Sequence, residues 1–272
     1  MAERGAQNTL VHLLYDEGME LAASQRTIRR RIGMLAAITA AVSLVAIPSR
    51  SSAGAAPAFT SLTPAQMLTI SIAGARTTKS GTAIVQVVTN KYKSTQNLTV
   101  VANGGEQHYV GDGIDAIIRV IGKTCYLKEN AAAIEQQFGV KNSPAANRWV
   151  AVPSTYSGFN DLIEGVSFGD LTSALTPLGK LTASKPTKIG KISVIGISGT
   201  VNPKVQLSKG TETVYISTTK PYLPVKVIAS GSEVSAKAVG SVVITVSKWG
   251  STPAPTVPNP VLQFATSGLS AN

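Results

Sequence analysis

From Thr82 onward, apolar residues recur at every second position in short runs cut by Gly, Asn and Asp. "TAIVQVVTN", "QNLTVVANG", "QHYVGDG", "DAIIRVIGK" and "KTCYLKEN" are rich in Val, Ile, Thr and Tyr, and the spacing predicts an antiparallel meander of five strands. Before it the period is helical. In "SLTPAQMLTISIAGARTTKSG", Thr63 is the expected N-cap, Pro64 the first helical residue and Gln66 the returning partner of a capping box. Met67, Ile70 and Gly74 would share a face, flanked by Leu68 and Ile72.

A helical middle follows. "NAAAIEQQFG" ends at Gly139, and "SFGDLTSALTPLG" opens with Ser167 and Asp170 in a second capping box. Strands return as "KIGKISVIGISGTV", "KVQLSK", "ETVYISTT", "LPVKVIAS" and "SVVITVSKWG". The tail "STPAPTVPNPVLQF" carries four prolines between Pro253 and Pro260, so it should run as an extended strap. Strands, helices, then strands predict an α+β fold: a single curved antiparallel sheet with helices gathered on one face. Such a sheet twists, and helices laid across its hollow side enclose apolar space.

The first 55 residues read differently. Arg29, Arg30 and Arg31 precede an apolar run of sixteen residues, 32–47, which leads to Ala53-Gly54-Ala55. That order is a secretory signal with small residues at the cleavage positions. The run is shorter than the roughly 18–20 residues of a membrane span, so cleavage near Ala55 is expected, with an uncleaved anchor as the alternative. Met19 offers a second start besides Met1. No cysteine follows the apolar run to accept a lipid, which leaves residues 56–272 as a single exported domain with its strap from about 251.

Composition narrows the partners. Past residue 55 the chain has 19 Lys and Arg against 10 Asp and Glu, spread without a block of like charge. This field favours an anionic membrane surface or a cell-wall polymer. Nucleic acid is not expected, because no basic stripe is interleaved with stacking aromatics. The lone Cys125 allows no internal disulfide and no C-x-x-C site.

Catalytic motifs fail on context. Gly165-Val166-Ser167-Phe168-Gly169 matches a nucleophile elbow, yet no histidine follows His108 to take the serine proton, and Ser167 already has work as a helix cap. His108 alone makes neither a triad nor a zinc site. Asp112 and Asp115 in "GDGID" belong to a hairpin turn and lack calcium-loop spacing. Trp149 reads as core or cavity wall and Cys125 as a small buried hydrophobe. Neither catalysis, a metal nor a cofactor is expected.

"YLKENAAAIEQQFG", "NRWVAVPS", "FNDLIEGVSFGDLTSAL", "GTETVYISTTKPYLPVKVIASGS" and "VVITVSKWGSTPAPTVPNP" together resemble actinobacterial exported proteins of the lipoprotein-sorting, LolA/LolB-like half-barrel class, related in fold to mycobacterial glycolipid-carrying lipoproteins. The resemblance spans roughly residues 62–260. It implies a half-barrel with helices across its concave face and an acyl-chain cavity between them, while the missing lipobox cysteine departs from the pattern. Strand alternation nominates Val85, Val87, Leu98 and Val100 as cavity residues from the sheet, and the helical middle adds Leu162, Leu171 and Leu175; Trp149 is the aromatic candidate. The expected role is a non-enzymatic, extracytoplasmic protein that binds or carries a lipid or other apolar envelope molecule. The alternative is an envelope interaction or structural module whose core is filled by its own side chains. Oligomeric state is not legible in the sequence.

Overall fold

The computed structural model describes residues 58–205, 207–233 and 239–269. The arginine cluster, the apolar run 32–47 and the Ala53-Gly54-Ala55 site lie outside the described residues.

Helix α1 (Pro64–Thr78) starts as its capping box requires. Thr63 Oγ1 accepts from the Gln66 N–H, and the Gln66 side chain accepts from the Thr63 N–H. It buries Met67, Leu68, Ser71, Ile72 and Ala75, whereas Ile70 is left 40% exposed. The face is therefore turned from the one the apolar spacing suggests: Ser71, donating no apolar surface, lies in the contact that Ile70 was expected to make.

The meander follows as β1 (Ser80–Thr89), β2 (Lys93–Val101), β3 (Gly104–Gly111), β4 (Ile114–Ile121) and β5 (Thr124–Glu129). Between β3 and β4, Asp112 and Gly113 both take positive φ, 55° and 77°, the conformation of a two-residue primed turn. Helix α2 (Ala131–Phe138) is capped by Asn130, whose Oδ1 accepts from the Ala133 N–H, and ends at Gly139 in the left-handed region. Strand β6 (Trp149–Pro153) then pairs with β5.

The helical middle is shorter than expected. It consists of α3 (Phe159–Ile163) and α4 (Phe168–Ser173), after which Pro177 stops helix and the chain enters strand β7 (Leu178–Ala183), which the sequence reading did not anticipate. β8 (Thr187–Ile189) and β9 (Ile192–Thr200) follow. "KVQLSK" is not a separate strand: residues Pro203–Val205 form a 3₁₀ turn, and β10 runs on from Leu207 to Ser217 through a register shift. β11 (Pro224–Glu233) and β12 (Val239–Ser247) complete the return.

All these strands and a short β13 (Leu262–Gln263) belong to one open, curved sheet in the order β13-β6-β5-β4-β3-β2-β1-β12-β11-β10-β9-β7, with β8 also on the edge of β9. The pairing is antiparallel except at β13, where the proline strap ends in a two-residue parallel bridge to β6. This is the α+β half-barrel, its four helices among the described residues packed on one face of the sheet. The closing step is the long-range pairing of β1 with β12, which places Val85 opposite Ile244 and Val87 opposite Val242.

The inner face holds two large apolar clusters and a small one of Tyr109, Ile114, Ala116 and Ala133. One large cluster joins α1 and α4 to β1, β2 and β9–β12; the other joins α2 and α3 to β4–β6. β3 runs between them, and its inward positions include Gly105 and Gln107, which supply no aliphatic side chain. Gln107 Nε2 donates to Gln96 Oε1 at 2.7 Å, so a buried amide pair marks the seam.

Candidate functional site

In the first cluster a cavity of about 20 Å³ lies between sheet and cover. The sheet supplies Val85 from β1, Gln96 and Leu98 from β2, and Val242 and Ile244 from β12; the cover supplies Leu171 and Ala174 from the α4 turn and Lys204 and Val205 from the 3₁₀ turn. Register explains the floor. Gln96, Val85 and Ile244 stand opposite one another across three adjacent strands, so their side chains rise from the same row of the same face.

The cover is stapled by polar groups. Ser167 caps α4: its Oγ accepts from the Asp170 N–H at 3.0 Å and donates to Asp170 Oδ2 at 2.6 Å. Asn202 ties α4 to the 3₁₀ turn, its Nδ2 donating to the carbonyls of Ser173 and Thr176 at 3.1 and 2.9 Å while its Oδ1 accepts from the Lys204 N–H at 3.0 Å. The Asn202 N–H in turn donates to Glu212 Oε2 at 2.8 Å. Burial pushes the Glu212 carboxyl up to about 7, against the pull of that hydrogen bond toward the charged form.

The residues nominated from sequence divide. Val85, Leu98 and Leu171 line the cavity. Val87, Val100 and Leu175 are buried in the same cluster without lining it, and Leu162 belongs to the second cluster. Trp149 turns to the other face, because Val150 and Val152 take the inward positions of β6; its ring lies under the Arg119 guanidinium at 4.7 Å. Arg119 also pairs with Glu106 and donates to the Thr256 carbonyl, tying the strap to the outer face. The cavity is smaller than the 300–1,000 Å³ usual for a ligand pocket, so an acyl-chain space of the kind expected between sheet and helices does not stand open here.

Sequence reasoning missed Val242 and Ile244, which the alternation in "SVVITVSKWG" signals but which only the β1–β12 pairing brings to Val85. Lys204 gave no signal at all, since its stretch reads as strand.

The decoys stand where their ordinary roles put them. His108 on β3 faces Asp115 on β4, Nε2 to Oδ1 2.9 Å. Cys125 is fully buried, and burial together with the Glu129 carboxyl pushes its thiol far above the reactive range. No group of three metal-donor side chains occurs among the described residues, and no helix among them is long and apolar enough to cross a membrane.

No family profile and no curated protein matches the chain. Similar solved structures include a mycobacterial lipoprotein and two further proteins. With LppX of Mycobacterium tuberculosis it shares 17% identity at a TM-score of 0.46, covering 71% of this chain and 98% of that one. With LprF from Mycobacterium bovis it shares 17% identity at 0.41, over 72% and 96%. An uncharacterized conserved protein from Thermus thermophilus is similar at 8% identity and 0.37, over 73% and 98%.

Proposed function

We propose that this is an exported cell-envelope protein that binds or carries a lipid or another apolar molecule between sheet and helices, without catalysis. The observation that carries the reading is the cavity floored by Val85, Leu98, Val242 and Ile244 and covered by only a six-residue helix and a three-residue turn. The cover is two short segments rather than a strand of the sheet, so on this reading it is the part that opens, at the cost of the Asn202 hydrogen bonds that fasten it. On this reading an acyl chain enters where α4 and the 203–205 turn cover the sheet, and the cavity of about 20 Å³ between them widens to admit it. The excess of basic residues suits docking on an anionic membrane or cell-wall polymer, where such a ligand is loaded or delivered.

Organic extraction of the purified protein tests the reading. Co-purified lipid, or saturable uptake of a fluorescent fatty acid by the extracted protein, supports it; an empty extract and no uptake overturn it. The size of the closed cavity, close to what one water needs, favours the second reading, an envelope interaction module with a self-filled core. Release from the membrane is proposed too: N-terminal sequencing of the exported protein should find a start near Ala56, and an intact Arg29-Arg30-Arg31 in the membrane fraction would reject it.

A further inference from the structure

Lys204 is out of place in an apolar pocket. It lines the cavity, the residue is only 9% exposed, and its Nζ is buried with no hydrogen-bond partner among the described residues. No ion pair there includes it. Glu212, the buried carboxyl tied to the same loop, is engaged through Oε2 by the Asn202 N–H and forms no ion pair with it.

The lysine is also held in position. Asn202 fastens the 3₁₀ turn to the α4 turn and accepts the Lys204 N–H, so the backbone that carries the side chain cannot drift to solvent without breaking three hydrogen bonds. Beside Lys204 the lining has one other polar side chain, the amide of Gln96, anchored by Gln107. The remaining walls are aliphatic. A buried amino nitrogen with no hydrogen-bond partner is costly in a protein interior, and a bound oxyanion removes that penalty. A self-filled core has no use for it; methionine would pack there better.

We infer that Lys204 recognises the oxyanion of an acyl-chain amphiphile, a carboxylate or a phosphate, whose hydrocarbon portion lies against Val85, Leu98, Leu171 and Ile244. The inference rests on the carrier reading and deepens it by naming the head-group chemistry. A fatty acid and an anionic phospholipid share that chemistry, and the test separates them.

The solvent-extracted protein is titrated with oleate against methyl oleate, and with dioleoyl phosphatidic acid against dioleoylglycerol, each pair having the same chains with and without the anion. Wild type should bind the anionic member of at least one pair ten-fold or more tightly, and the pair that shows the preference identifies the source. Lys204→Met should abolish the preference while retaining the uncharged member, and Lys204→Arg should keep much of it. Equal binding of charged and uncharged members by wild type overturns the head-group inference and leaves the carrier reading standing. A preference that survives Lys204→Met overturns the role of this lysine, and binding of none of the four overturns both readings. The wild-type comparison decides the head-group chemistry even if Lys204→Met does not fold, and Lys204→Gln, neutral but still polar, then decides the residue: loss of the preference with the uncharged members still bound supports Lys204 as the contact, and an unchanged preference overturns it.

Discussion

Two carboxyl groups sit where water does not reach, and they make stability depend on pH in an uncommon direction. Burial alone pushes Glu129 up to about 8, and neither of its carboxyl oxygens has a partner among the described residues; Glu212 is pushed to about 7. Folding thus raises both above their unfolded value, 4.5. Between 4.5 and those values the native state binds more protons than the unfolded one, so stability is greatest at the acid end and is lost as pH rises toward about 8. Thermal melts at pH 5 and pH 8 should differ by on the order of 6 kcal/mol in favour of pH 5, somewhat more than half of it from Glu129, and Glu129→Gln should remove most of the Glu129 part of that slope. A slope unchanged in Glu129→Gln would show that this carboxyl is hydrated in solution. Ser167 offers an independent check of a simple role. Ser167→Ala removes a helix cap and should lower stability by about 0.5–2 kcal/mol while ligand uptake stays as it was. A hydrolytic activity that disappears at unchanged stability would instead return the serine to catalysis.

Element by element, the sheet was readable and the cover was not. Alternation and primed turns are local signals, so β1 to β5 follow from the residues between Thr82 and Glu129 almost strand for strand, and the capping box at Thr63 forms as expected, whereas at Ser167 only the N-cap half forms and the Asp170 carboxylate takes the serine hydroxyl instead of the backbone N–H. Short apolar runs lack such signals: "PLG" reads as the end of a helix and "KLTA" carries no signal, yet together they become an edge strand once β9 offers a partner, and "KVQLSK" becomes a turn plus the start of a longer strand. Site residues divide the same way. Val85 and Leu98 follow from period two; Lys204 depends on how a loop folds back over the sheet, a tertiary event with no local pattern. The seam between the clusters is testable at this scale. A Cβ on Gly105 would stand 2.5 Å from the Val166 carbonyl oxygen and 2.7 Å from that of Thr99, both backbone atoms that cannot rotate aside. Gly105→Ala should therefore lower stability by about 1–3 kcal/mol in denaturant unfolding, and a neutral result would mean that the α3–α4 connection is not packed on β3.

For the molecule as a whole, the question is whether the inner face is a closed core or a container at rest, and neighbouring positions on one strand distinguish the two. Val85 lines the cavity, Val87 is buried in the same cluster away from it, and Ile84 lies on the outer face, 47% exposed. Tryptophan at position 84 meets solvent and should change little. At 87 it meets only packed side chains, so Val87→Trp should cost about 1–3 kcal/mol or more through overpacking. At 85 a container and a core respond differently. If α4 and the 203–205 turn lift to admit a chain, the indole enters the space the ligand would take: Val85→Trp should melt closer to wild type than Val87→Trp does, and its lipid uptake should fall at least ten-fold. Differential scanning fluorimetry and fluorescent fatty-acid titration on the three variants read both quantities. Equal loss of stability at 85 and 87, with uptake absent from wild type as well, would mean that the half-barrel is packed shut by its own residues and that its basic surface, rather than its hollow, meets the envelope.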